Sequence, residues 1–341
     1  MMTQDSEKNA EIGGLAGLGG TEPAVCPPVT VIIPARPGQT DVLAASAAVE
    51  LDYPRDRLEI LIIRGTQPSA QRNLGIRMAT GDLIYFLDDD SVPDVGNLRR
   101  ALQWFREDSV AIVGGPSLCP AEAPFLERVF SVVMRSWLAF GPSRARYMQL
   151  GKPRPTSEKE LILCNLLARK KAILEVGGFN ESLYPNEENA LMDELSARGW
   201  KMIYDPALVV YRRPRRTISA FVKMLFRYGR GRAEQFRVNP TLNSLPNLVP
   251  PLFCLYLVCL PFLGGLFGGI LLLYAGAILG QWLLLLHNTR FHEATVALPF
   301  ILLTHLVYGL GFWYGLFTKL RPPSGLMEFQ VERVCPPKHC E

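Results

Sequence analysis

The sequence predicts an α/β domain on a mostly parallel sheet, followed by C-terminal helices of membrane-spanning character. Three observations carry this. Short β-branched runs alternate with helix-forming stretches through the first part of the chain. One of those runs, Ile84-Tyr85-Phe86-Leu87, ends abruptly in three consecutive carboxylates, Asp88, Asp89 and Asp90. From Leu248 to Phe317 nearly every residue is apolar, and Arg290 and Glu293 are the only charges.

The elements follow in order. Val29-Thr30-Val31-Ile32-Ile33-Pro34 is a β-branched run closed by proline, a first parallel strand. The Ala-rich stretch 41–51 fits a helix, and Leu58 to Ile63 a second buried strand. Ser69 to Met78 suits a helix, Leu83 to Leu87 a third strand, Leu98 to Phe105 a helix, and Val110 to Gly115 another strand. Alternation in units this short implies a parallel sheet covered on both faces. Phe125 to Phe140 is strongly apolar and reads as core, or as a helix that touches lipid. Further on, Asn186 stands where a helix N-cap would, Glu187 and Glu188 suit the first turn, and Gly199 ends the segment.

The apolar region needs arithmetic. Leu248 to Leu286 as one helix would be about 58 Å long, against a bilayer core of about 30 Å. Pro261, Gly264, Gly265, Gly268 and Gly269 permit a reversal near its middle, so two helices fit better. His287 to Glu293 reads as a polar loop and Thr295 to Phe317 as a third span, with two spans plus a re-entrant piece as the alternative. The preceding arginine-rich stretch should be cytoplasmic, whereas Lys319 and Arg321 after the last span resist an external tail. The chain then divides into a disordered leader over 1–28, a globular domain over 29–211, a basic amphipathic segment over 212–245, about three membrane helices over 246–320 and a tail over 321–341.

Composition agrees with this division. Of 341 residues, 48% are hydrophobic, more than a purely soluble domain needs. The net charge of +4 hides a cluster of Arg212, Arg213, Arg215, Arg216, Lys223, Arg227, Arg230, Arg232 and Arg237. Ile218, Phe221, Val222, Leu225 and Phe226 add an apolar stripe at helical spacing, which suits a helix lying against anionic lipid. Gripping of a diphosphate and plain solvation are the other readings. No aromatic platform accompanies the charge, which argues against a nucleic-acid partner. The seven cysteines have no metal-ligand spacing, and those of the globular part read as reduced, whereas Cys335 and Cys340 could pair only in an oxidising compartment. His287, His292 and His305 read as ordinary loop or helix residues.

Two acidic clusters carry the chemistry. A strand ending in Asp88-Asp89-Asp90 sits where open α/β sheets bind ligands. Repulsion among the three raises their pKa values or demands a cation, and a hard divalent ion, Mg2+ or Mn2+, shared with phosphate oxygens answers that demand. A solvated acidic turn is the plain alternative. About 100 residues on, Glu187-Glu188 offers a general base, or merely acids that suit a helix dipole.

The order of these motifs resembles the family-2 glycosyltransferases. Ile32-Ile33-Pro34-Ala35-Arg36 is similar to the family's first-strand motif, and Gln71-Arg72-Asn73-Leu74-Gly75 with Ala79-Thr80-Gly81-Asp82 to its helix and turn. Phe86 to Asp90 resembles its D-x-D motif, Gly177-Gly178-Phe179-Asn180-Glu181 its acceptor-side loop, and Glu187-Glu188 its acid pair. The resemblance covers about residues 29 to 240, and the C-terminal helices add a likeness to bacterial exopolysaccharide and lipid-linked sugar transferases. It implies a GT-A nucleotide-diphospho-sugar transferase fold and inverting, metal-dependent transfer to a hydroxyl acceptor at the cytosolic face of the plasma membrane. The partners implied are a nucleotide-sugar donor and a membrane lipid or lipid-linked acceptor. By position, Asp90 would ligate the metal, with Asp88 on the same ion or on the ribose. Pro34, Ala35, Arg36, Arg72, Asn73, Asp88 and Asp89 would line the nucleotide, and Glu188, or by a swap Glu187, would be the base.

Departures qualify the implication. Pro37-Gly38-Gln39 and Arg64-Gly65 stand where the family carries acids that read the base, and Glu188 stands in place of Asp. The Gln-x-x-Arg-Trp motif of processive synthases is missing, so single-sugar transfer is expected rather than polymer synthesis. A nucleotidyltransferase and a non-catalytic membrane scaffold are the rival readings.

Overall fold

The computed structural model describes residues 26–240, 242–263, 268–320 and 327–334. The expected leader before residue 26, Arg321, Cys335 and Cys340 lie outside them. In chain order the main elements begin with β1 (Val29–Ala35), α1 (Leu43–Val49), β2 (Leu58–Arg64), α2 (Pro68–Met78) and β3 (Leu83–Phe86). Next come β4 (Val92–Pro93), α3 (Asn97–Leu102), β5 (Val110–Gly114), β6 (Ser117–Leu118), α4 (Phe125–Arg135) and α5 (Trp137–Phe140). Then follow β7 (Arg154–Pro155), β8 (Leu166–Arg169), α6 (Lys170–Glu175), α7 (Glu187–Ala197), β9 (Lys201–Tyr204) and β10 (Val210–Tyr211). The last are α8 (Ile218–Val238), α9 (Val249–Leu263), α10 (Gly268–Leu286), α11 (Phe291–Phe317) and β11 (Gln330–Val334).

The central sheet runs β11-β2-β1-β3-β8-β5-β9-β7. The parallel pairing expected from strand–helix alternation holds for β2-β1-β3 and for β5-β9. β8 enters antiparallel to both β3 and β5, so the sheet is mixed. Alternation along β1 divides the core. Val29, Val31 and Ile33 pack with Ala44, Ala48 and Leu98 on one face, and Ile32 packs with Ile76, Ile173 and Leu195 on the other.

A third apolar cluster joins the domain to its C-terminal helices. Phe130 of α4 stacks on Phe221 of α8 with centroids 4.2 Å apart, and Phe300 of α11 meets Phe130 edge-on. The expected lipid-facing stripe of α8 is therefore largely covered: Phe221 and Leu225 are buried, and Ile218 stays exposed. The reason is tertiary, because α11 occupies the face that the sequence leaves open. Phe125 to Phe140 forms two helices that pack in this cluster, and Phe125 and Trp137 reach its exposed edge.

α8 and α11 touch along their backbones. A Cβ at Gly229 would collide with the carbonyl oxygen of Tyr308, and one at Gly311 with that of Phe226. Gly311→Val should therefore force the helices apart and lower stability by at least about 1–3 kcal/mol, whereas Gly276→Val, with open space around it, should not. Thermal midpoints of the two variants in detergent check this; equal midpoints would refute the close seam.

α10, α11 and the segment Leu245–Phe262, which joins α9 to the turn before it, each have the length and hydropathy of a membrane span. They differ in setting. Leu245–Phe262 and α10 bury few of their residues, whereas α11 is 39% buried over its most apolar part. α11 is tied to the globular domain at both ends, by Arg128 Nε to Glu293 Oε1 at 2.8 Å and by Arg237 Nη1 to the Gly315 carbonyl at 3.1 Å. Beyond it, β11 pairs antiparallel with β2, Val331 opposite Ile63, and Arg64 binds Glu332 at 2.6 Å. The tail strand thus belongs to the same sheet as β1–β3.

Candidate active site

The acid triplet lies just past the carboxyl end of β3. Leu87 N–H donates to the Ile32 carbonyl at 3.2 Å, which keeps β1 and β3 in step there, and a turn closes with Ser91 N–H on the Asp88 carbonyl at 3.1 Å. Pro34 and Ala35 end the neighbouring strand. The Ala35 carbonyl accepts from Gly65 N–H and from Gln71 Nε2, and Arg36 is exposed beyond it. Asp89 gives its carbonyl to Ala44 N–H at 3.1 Å.

Arg72 of α2 joins the two acidic segments. Its Nη2 lies 2.9 Å from Asp88 Oδ1 and its Nη1 3.0 Å from Glu187 Oε1. One guanidinium is thereby shared by carboxylates of two distant segments, Glu187 lying 115 residues beyond Arg72. Arg212, directly after β10, holds the other oxygen of Asp88 through Nη1 at 2.9 Å and Asp90 Oδ1 through Nε at 2.6 Å. Burial works to raise the Asp88 carboxyl, but Arg212 and Arg72 outweigh it and hold the group below its ordinary value. Burial raises Asp90, helped by Asp88 and Asp89, against the pull of Arg212.

Asn73, expected beside the nucleotide, is committed to the glycine loop. Its Nδ2 donates to the Phe179 carbonyl and to Glu181 Oε1, both at 2.9 Å, and its Oδ1 accepts from Phe179 N–H at 2.8 Å. Gly178, with φ of +82°, brings the loop so close that a Cβ would strike Asn73 Oδ1 at 2.7 Å. The loop therefore acts as a brace between α2 and the approach to α7.

The acid pair divides in two. Glu187 is 2% exposed and faces Arg72. Burial, then the neighbouring Glu188, push its carboxyl up to about 8 despite that guanidinium. Glu188 turns the other way, accepts from Asn189 Nδ2 at 3.2 Å and lines a cavity of about 350 Å3. Asn186 precedes α7 as expected, but its side chain caps nothing; its Oδ1 accepts from Asn189 Nδ2 at 2.6 Å, and its Nδ2 bonds Gln235 of α8.

A carboxyl raised in the folded state holds its proton more tightly folded than unfolded. Glu187 should therefore cost no stability below about pH 4.5 and a growing amount as pH rises toward 8. The expected slope is at most about 1.4 kcal/mol per pH unit, and Glu187→Gln should flatten it. Thermal midpoints across pH 5–8 test this, and parallel profiles for the two proteins would disprove it.

The cavity lies between the domain and its apolar helices. Trp137, Leu138 and Phe140 line one part, Glu188, Arg146 and Arg232 another, and Pro250, His305 and Tyr308 bring in the C-terminal helices. His305 bridges Tyr274 and the Leu138 carbonyl, both at 2.8 Å, as a packed helix residue. Sequence reasoning placed the basic cluster at the lipid surface, yet much of it is bound internally. Arg212 meets Asp88 and Asp90, Arg213 meets Glu127, Arg230 meets Glu234, and Arg232 meets Asn189. The signal for Arg212 was its place after a strand that pairs with the Val92-Pro93 strand following the acid triplet, and that pairing is not visible in sequence.

Among the described residues no three His, Cys, Asp or Glu side chains are grouped to hold a metal. Asp88 and Asp90 nonetheless converge on one cationic group, Arg212. Two carboxylates, with phosphate oxygens and water completing the shell, are a donor set that suits Mg2+ or Mn2+. The five described cysteines are unpaired.

Comparison with known proteins adds four findings. Residues 83–316 match the sequence model of Glycosyl transferase family group 2. The chain is 28% identical over 196 residues to the pre-mycofactocin glycosyltransferase of Mycobacterium tuberculosis (strain ATCC 25618 / H37Rv), covering 53% of this chain and 37% of that protein. It is 31% identical over 156 residues to the succinoglycan biosynthesis protein ExoA of Rhizobium meliloti (strain 1021), covering 44% of this chain and 46% of that one. The matched stretches are thus less than half the length of these relatives. In fold the chain is similar to the mannosyltransferase PcManGT from Pyrobaculum calidifontis, solved with GDP-Man and Mn2+, with a TM-score of 0.54, 17% identity, and coverage of 87% of this chain and 89% of that one.

Proposed function

Because the chain belongs to Glycosyl transferase family group 2, we propose that it transfers a sugar from a nucleotide-diphosphate sugar to an acceptor hydroxyl lodged beside Glu188 at a membrane face. The observation that carries this is the Arg72 bridge, which ties the Asp88 turn to the start of α7. It holds the Asp88 turn against the start of α7, whose next residue, Glu188, lines the cavity.

In this reading Glu188 takes the proton of the acceptor hydroxyl as its oxygen attacks C1 of the sugar, opposite the departing diphosphate, with inversion. Glu187, buried against Arg72, orients that guanidinium and the turn. Asp88 and Asp90 would hold a Mg2+ or Mn2+ ion, which when bound offsets negative charge on the leaving diphosphate. Arg212 stands at the same two carboxylates as a further positive group. Pro34, Ala35, Arg36 and Asp89 border the nucleotide side. Donors such as the GDP-Man of the PcManGT structure supply the substrate class, not the sugar.

The same reading assigns the membrane arrangement. A chain that crosses a bilayer three times ends on the far side, whereas β11 lies in the sheet of the domain that precedes the helices. We therefore assign α9 and α10 as a hairpin in the lipid and α11 as a helix docked on the domain, in place of the three spans expected from hydropathy. In sealed inside-out vesicles a C-terminal epitope should be cleaved by added protease together with the catalytic domain. Protection of the epitope alone would reject this arrangement.

The function is tested by incubating membranes that contain the protein with a panel of labelled nucleotide sugars, with Mn2+ or with EDTA. Metal-dependent incorporation of one sugar is expected. No incorporation, with pyrophosphate released from a nucleoside triphosphate, would favour the nucleotidyltransferase.

A further inference from the structure

The wall of the cavity beside Glu188 holds two guanidiniums, Arg146 and Arg232, that hydrogen-bond to neutral oxygens. Arg146 Nη2 and Arg232 Nη2 both donate to the single amide oxygen Asn189 Oδ1, at 2.7 and 3.0 Å. Their remaining bonds go to neutral oxygens: Arg146 to the Lys159 and Glu158 carbonyls, and Arg232 to Gln235 Oε1 at 3.2 Å. Neither forms an ion pair among the described residues. The nearby carboxylates Glu158, Glu188 and Asp193 act on Arg232 only through space. Burial and then the Arg146 charge push the Arg232 guanidinium below its ordinary value, as two crowded cations in a partly desolvated place require.

Two adjacent guanidiniums with no carboxylate bonded to either among the described residues can take an anion between them. Guanidinium forks match phosphate oxygens with paired, charge-assisted hydrogen bonds. The cavity lining also includes the apolar residues Trp137, Leu138, Phe140, Val249 and Pro250, the last two at the start of the exposed α9. Resting on the proposed reading of Glu188 as the base, we propose that Arg146 and Arg232 bind a phosphate-class anionic group of the acceptor, whose apolar part leaves the cavity along α9. The anion sets the reacting hydroxyl at Glu188, because Asn189 joins both arginines to that carboxylate.

Binding is read without any sugar donor, so failure of sugar transfer and failure of this proposal show separately. Calorimetry in neutral detergent compares octyl phosphate, octanol and inorganic phosphate. Octyl phosphate should bind about 10- to 100-fold more tightly than octanol, and that preference should be lost in Arg146→Gln and Arg232→Gln and largely kept in Arg232→Lys. Inorganic phosphate binding as tightly as octyl phosphate would overturn the apolar exit along α9, and weaker binding would support it. Equal affinity of the wild-type protein for octyl phosphate and octanol overturns the proposal, whatever the variants do. So does a preference that survives both glutamine substitutions.

Discussion

Glu188→Gln is expected to reduce sugar transfer by about 10²–10⁴-fold, the usual contribution of a positioned general base, without changing the thermal midpoint or the affinity for nucleotide. The amide keeps the shape of the carboxylate and its bond from Asn189, but it cannot take a proton. The contrast with Glu187→Gln carries the argument. Glu187 is buried on Arg72 and does not line the cavity, so its amide should act on stability and its pH dependence, with a much smaller loss of turnover. Initial rates at saturating donor, measured for both variants in the same membranes, separate them. Equal losses from the two would remove the assigned division of labour, and normal turnover by Glu188→Gln would remove the base.

Arg72→Ala should be among the most destabilising single changes in the globular domain. It leaves Glu187, 2% exposed, without its cation and takes from Asp88 one of two guanidiniums. Breaking a buried ion pair by removing one partner costs about 3–5 kcal/mol, which for a domain of this size is a drop of order 10 °C in thermal midpoint. Arg72→Lys should recover only part of this, since one ammonium cannot span the two carboxylates as a planar fork does. Midpoints for the three proteins in detergent, at a pH where Glu187 is ionised, are the measurement. A wild-type midpoint in Arg72→Ala would mean that the two acidic segments are held together by something else.

Much of the domain was legible because its signals are local. Val29 to Pro34, Leu58 to Ile63 and Leu83 to Leu87 are strands whose β-branched runs are buried on both faces, and they form where expected. The acid triplet and the Glu187-Glu188 pair were legible as chemistry, since clustered carboxylates next to apolar runs need a reason. The antiparallel entry of β8 was not legible, because direction is set by pairing with β3 and β5 and not by residue type. Nor was the use of the arginines. Composition alone cannot distinguish a guanidinium that faces lipid from one that meets Asp90, and β10 decides it for Arg212 by pairing with the strand after the acid triplet. Asn73 shows the same limit: its motif does not reveal that its side chain is hydrogen-bonded to Phe179 and Glu181.

The amino-acid sequence by itself determined the alternation of strand and helix, the two places where carboxylates cluster, and the three stretches apolar enough for lipid. Each of these depends on neighbours within a few residues, through β-propensity, hydrophobic period and local charge. Only the tertiary structure decided which glutamate meets Arg72 and which meets the cavity, which arginines are bound internally, and that the tail strand returns to β2 beyond three apolar helices. Those outcomes depend on which distant segments come within hydrogen-bonding and van der Waals range, and that proximity is created by packing.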